Sequence, residues 1–110
     1  MTSTDVSIAL VLTTLGADAD AAALARTLVG EQLAACVNIV PQVRSIYHWE
    51  GAMQDDSEAL AIIKTTRERY AALAARLVEL HPYSVPEVIA LPVTDGHAPY
   101  LAWLAAQTRS

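Results

Sequence analysis

His81-Pro82-Tyr83-Ser84-Val85-Pro86-Glu87-Val88-Ile89-Ala90-Leu91-Pro92-Val93 places an apolar segment between prolines and crowds a histidine, a tyrosine and a glutamate at its entrance. Proline fixes φ and has no N–H to donate, so it suits strand starts and sheet edges but not central ladders. Pro86 and Pro92 therefore predict a short strand, Glu87 to Leu91. Pro82 disfavours helical geometry at His81, so the preceding helix is expected to end there. Three groups able to hold a metal, a proton or a polar ligand sit at one stiff junction.

Working outward, Tyr70, Leu73, Leu77 and Leu80 recur at helical spacing and give that preceding helix one apolar face. Thr65-Thr66-Arg67-Glu68 fits a capping box, with Thr65 as the cap and Glu68 reaching back. Glu58 to Thr65 reads as a strand, Gly51 to Asp56 as a turn, and Ser45 to Glu50 as the partner strand. Residues 43–65 thus predict one long hairpin. Before it, Ala34 to Val40 is strand-like and Pro41 interrupts it. Val6 to Thr13 is a buried strand broken by Gly16. Asp18 and Asp20 can start a helix that runs to about Leu33. At the other end, Asp95-Gly96 is a turn pair and Pro99 opens a last helix with Tyr100, Leu101, Trp103 and Leu104.

The succession is β-α-β-β-α-β plus a terminal helix, which predicts an α+β, ferredoxin-like antiparallel sheet with both main helices on one face. The second face should then be polar. Yet Ile8-Ala9-Leu10-Val11-Leu12 and Ala59-Leu60-Ala61-Ile62-Ile63 are apolar at successive positions, the pattern of strands covered on both sides. Too few helices remain to cover the second face, so a second copy of the chain is expected there.

The bulk composition agrees. The chain has 110 residues, 54% hydrophobic and 17% charged, which fits one domain over residues 1–110 with more apolar side chains than one small core hides. Residues 1–5 are expected to lack fixed structure. The net charge is −5, Lys64 is the single lysine, and no basic cluster exists, which argues against a nucleic-acid partner. Cys36 is the only cysteine, so no intrachain disulfide forms. No apolar run reaches a membrane span, and no basic leader precedes residue 6, so a cytoplasmic protein with no membrane partner is expected.

Several segments coincide in order: Leu33–Pro41, Ser45–Gly51, Ile63-Lys64-Thr65, His81-Pro82-Tyr83 through Pro86-Glu87, Ala90–Val93 and Tyr100–Trp103. In combination they closely resemble the CutA family, the divalent-cation tolerance proteins, from about Val6 to Leu104. The resemblance implies a ferredoxin-like homotrimer with a long β2–β3 hairpin, the hairpins pairing between subunits. It also implies a likeness to PII signalling proteins, which hold ligands in clefts between subunits. No catalysis is implied, and no catalytic residue is assigned. The copper donors proposed in some members fall here at Thr13, Leu80 and Glu87, of which only Glu87 keeps a donor.

Two ligand readings follow. His81 and Glu87 form a candidate metal pair for Cu(II) or another divalent cation, His81 standing beside the lost position. The structural alternative for His81 is a helix-end histidine that meets the last carbonyls. Lys64, Tyr83, Glu87, Trp49 and Tyr47 are expected to line a pocket between subunits. With Arg44 or Arg67 turned toward it, that pocket could take a small anion or metabolite. Cys36 reads as a small buried hydrophobe. Asp55-Asp56 read as turn residues rather than an acid/base pair, because neighbours along a strand point apart.

Overall fold

The computed structural model describes residues 7–109; the expectation for residues 1–5 and the start of the first strand at Val6 lie outside them. The elements are β1 Ile8–Gly16, α1 Ala21–Gly30, β2 Cys36–Trp49, β3 Ala52–Thr66, α2 Arg67–Leu80, β4 Ile89–Val93 and α3 Ala98–Gln107. The strands form one sheet in the order β2-β3-β1-β4, antiparallel at every pairing. This is the β-α-β-β-α-β succession expected, with α3 added.

The pleat sorts the apolar strands into two faces. Ala9, Val11, Thr13 and Leu15 of β1 and Ala59, Ala61 and Ile63 of β3 are buried. Val11, Leu15, Ala59, Ala61 and Ile63 pack against Leu24 and Leu28 of α1 and Leu73 and Leu77 of α2. Alternate residues must point the other way. The register aligns them in rows across the sheet: Cys36, Lys64, Leu10 and Leu91 in one, Asn38, Ile62, Leu12 and Ile89 in the next. Helix α3 covers only one end of this second face, where Leu104 buries against Ile8 and Ala35. Ile89 and Leu91 remain 50% and 44% exposed.

Local chemistry fixes the boundaries and corrects several expectations. Helix α1 starts at Asp20, whose side chain accepts from Ala23 N–H at 3.0 Å. It ends at Gly30 rather than Leu33, because Gln32 turns left-handed (φ 60°) and the N–H groups of Leu33 and Ala34 close on Leu28 O. The cap of α2 is Thr66, not Thr65: its hydroxyl accepts from Arg69 N–H at 3.2 Å. Thr65 stays in β3 and donates to Leu33 O at 2.7 Å.

The hairpin is tighter and longer than the sequence suggested. Its turn is Glu50-Gly51 alone, with φ of 51° and 81°, the positive-φ pair that a two-residue hairpin needs. Residues 52–56 therefore belong to β3. Pro41 does not end β2; the ladder shifts register between Val40 and Val43 and continues. Because β1 stops pairing at Gly16↔Glu58, residues 44–57 project as a two-stranded arm, and the molecule measures 52 × 25 × 22 Å. Strand β4 begins at Ile89 and runs through Pro92 to Val93; as the edge strand it tolerates a residue without an N–H.

Candidate functional site

The arm and the Tyr83–Glu87 segment border a groove of ≈ 760 Å³. Tyr47, Trp49, Tyr83 and Glu87, expected together from the sequence, all line it. So do Asp56 and Glu58 of β3 and Thr14 of β1, which the sequence did not mark. Lys64 does not. It belongs to the second sheet face, with Nζ 3.5 Å from the Tyr100 hydroxyl and 5.8 Å from that ring's centre. Strand alternation gives it the same face as Glu58, but it stands six residues further along β3, beside α3, where Tyr100 stacks on Trp103.

Two phenol–carboxylate pairs stiffen the groove. The Tyr83 hydroxyl donates to Glu58 Oε2 at 2.6 Å, and the Tyr47 hydroxyl donates to Asp56 Oδ2 at 2.6 Å. Burial, and then the hydrogen bond to Glu58, hold the Tyr83 phenol well above its usual pKa. The hydrogen bond to Asp56 pushes Tyr47 up to about 12. Both therefore remain donors at neutral pH. Gly16 stands beside the Tyr83–Glu58 pair: a Cβ there would touch the Tyr83 hydroxyl at an ordinary 3.6 Å but crowd Asp18 Oδ1 at 2.9 Å.

His81 anchors the segment from behind. It is buried, its Nε2 lies 2.9 Å from Thr14 O, and its Nδ1 lies 3.1 Å from Tyr83 N. A carbonyl can only accept and an amide N–H can only donate, so Nε2 carries the proton and Nδ1 offers its lone pair to Tyr83. No ring nitrogen is left for a metal. Among the described residues, no group of three or more His, Cys, Asp or Glu side chains is gathered as metal ligands. The metal pair His81–Glu87 thus gives way to a structural histidine, as Glu87 lines the groove and His81 does not.

The copper donor positions fit no better. Thr13 is fully buried on the helix side, its hydroxyl without a partner among the described residues, and Leu80 packs against the core. Neither supplies the thiolate or imidazole that copper favours.

The basic residues named for an anion are occupied elsewhere. Arg44 grips Asp55 through two bonds of 2.8 and 2.7 Å, holding that carboxyl below its usual range. Arg67 lies over the Tyr70 ring at 5.4 Å. Asp55 and Asp56 bind different partners, Arg44 and Tyr47. They stand in β3 and do not act as a pair.

The profile described as CutA1 divalent ion tolerance protein matches residues 9–107. The chain belongs to the CutA family. A divalent-cation tolerance protein CutA from Thermus thermophilus is 46% identical over 99 residues, spanning 90% of this chain and 96% of its own. The chloroplastic CutA of Arabidopsis thaliana is 53% identical over 87 residues, which is 79% of this chain but 48% of that protein. This chain likewise spans about half of the human protein CutA, at 49% identity. Among solved structures, CutA1 from Oryza sativa superposes with a TM-score of 0.92 at 46% identity, covering 97% of this chain and 98% of that one. The Thermus thermophilus protein gives 0.88 at 45% identity, covering 93% and 99%. The CutA sheet of four antiparallel strands with three helices is thus the fold of this chain.

Proposed function

We propose that this CutA chain acts in the response to divalent cations as a non-catalytic, ferredoxin-like homotrimer that holds a cation weakly in the acidic groove. One observation carries the reading: every carboxylate or basic side chain lining the groove is a carboxylate, namely Asp56, Glu58 and Glu87. Such a wall attracts cations and repels anions. Its donors are oxygens, which suit hard ions and hold soft ones poorly. The uncovered apolar rows of the second sheet face and the unsupported arm favour assembly, since a two-stranded ribbon alone is marginal in water. The absence of catalysis is supported by His81, whose nitrogens are both engaged. It is supported too by Cys36, whose Sγ, among the described residues, meets only Asn38 Oδ1, at 3.9 Å.

A second reading, a PII-like sensor of a small molecule, is favoured by the size of the groove, ≈ 760 Å³. Its anionic form is disfavoured by the lining. Calorimetric titration with Mn(II), Cu(II) and Zn(II) tests the first reading. Mn(II) is expected to bind in the millimolar range, and Glu58→Gln with Glu87→Gln to weaken it about tenfold, or ~1.4 kcal/mol. Unchanged affinity in that variant, or no binding to the unaltered chain, would remove the groove as the cation site.

A further inference from the structure

We infer that the groove takes an organic ammonium ion, whose positive charge rides on a carbon skeleton. This rests on reading the groove as a cation site and names the class of cation. Size is the first observation. The groove of ≈ 760 Å³ falls in the range of small-molecule sites, roughly 300–1,000 Å³. Tight binding of a bare ion instead needs converging donors, and the described residues gather no such set, so a bare divalent ion is held only weakly there.

The walls are the second observation. Tyr47, Trp49 and Tyr83 line the groove and stay 41%, 46% and 38% exposed. Three large rings border one cavity, and aromatic faces attract ammonium groups through the ring quadrupole. Two of the rings are held in place by the hydrogen bonds to Asp56 and Glu58 at 2.6 Å. A ligand therefore meets rings already oriented.

Charge is the third. Glu58 is 5% exposed, and only its Oε2 is engaged among the described residues; Oε1 is left to accept from a ligand. Glu87 adds a second carboxylate. The phenol O–H groups already donate to carboxylates, so an anion would meet acceptors where it needs donors. An ammonium group fits on both counts: its charge lies against Glu58, Glu87 and the ring of Trp49, and its alkyl part against Val85.

The test is titration of the assembled, metal-stripped protein with two charged probes and their uncharged counterparts. Choline is compared with 3,3-dimethyl-1-butanol, and n-butylammonium with n-butanol. At least one charged probe is expected to saturate with about tenfold or greater preference over its neutral counterpart, and Trp49→Leu to remove most of that preference. Far-UV circular dichroism of the variant shows that its fold is kept. Equal binding of charged and neutral probes, or none of either, would overturn the assignment. Mn(II) is titrated in parallel with Glu58→Gln and Glu87→Gln. Mn(II) binding that depends on these carboxylates, without ammonium binding, overturns the ligand class and leaves the cation reading. Loss of both overturns both.

Discussion

A chain carrying Ile62→Glu and Leu91→Glu is expected to sediment as a monomer at micromolar concentration, and the unaltered chain as a trimer. Both residues belong to the second sheet face, in neighbouring rows set by the pairings Leu12↔Ile62 and Leu10↔Leu91. An apolar side chain of this size gains about 1.5–3 kcal/mol on full burial. A carboxylate placed there unpaired reverses the sign, and symmetry repeats the penalty in every subunit. The helix-side core, built on Val11, Ile63, Leu73 and Leu77, is untouched, so the monomer should stay folded by circular dichroism. Retention of the trimer by this variant would show that the face is not the contact.

His81→Ala is expected to lose roughly 2–4 kcal/mol of stability in urea unfolding, from two unpaired backbone groups and the space of a buried ring. The freed groups are Thr14 O and Tyr83 N–H. They tie β1 to the segment that carries the Tyr83–Glu58 pair, so the Tyr83 phenol should also titrate closer to its ordinary pKa. The loss should be the same with and without a chelator. A metal-ligating His81 would instead give a loss that appears only when metal is present.

The fold was largely legible because its signals are local and periodic. Successive apolar residues in Ile8–Leu12 and Ala59–Ile63 announced a sheet apolar on both faces, and Leu73 and Leu77 marked the inner face of α2. Boundaries failed where tertiary bonds decide them. Thr65 and Thr66 are equal as caps in the sequence, and only the bond from Thr65 to Leu33 O settles which one is free to cap. Pro41 reads as a break, yet a shift of register absorbs it.

The site was legible in its aromatic half and hidden in its acidic half. Tyr47, Trp49, Tyr83 and Glu87 stand out as large or charged groups near prolines and turns. Asp56 was absorbed into a turn that proved to be two residues long, Glu50-Gly51. Glu58 looked like the polar start of a strand. The signal that could have found it is its spacing: it follows Asp56 by two along β3, so the strand puts both on one face. Lys64 was misplaced because distance along the strand excludes it: it shares the face of Glu58 but lies six residues further along β3, against Tyr100 of α3.

The most direct measurement of the central claim is paramagnetic broadening of the NMR spectrum by substoichiometric Mn(II). The indole N–H of Trp49, the amides of Asp56 and Glu58 and those of Tyr83, Ser84, Val85 and Glu87 should broaden first, while Trp103 and Lys64, at the α3 end of the sheet, stay sharp. Broadening centred on the exposed His48 and His97, or on the Tyr100–Trp103 side, would contradict a cation site in the groove.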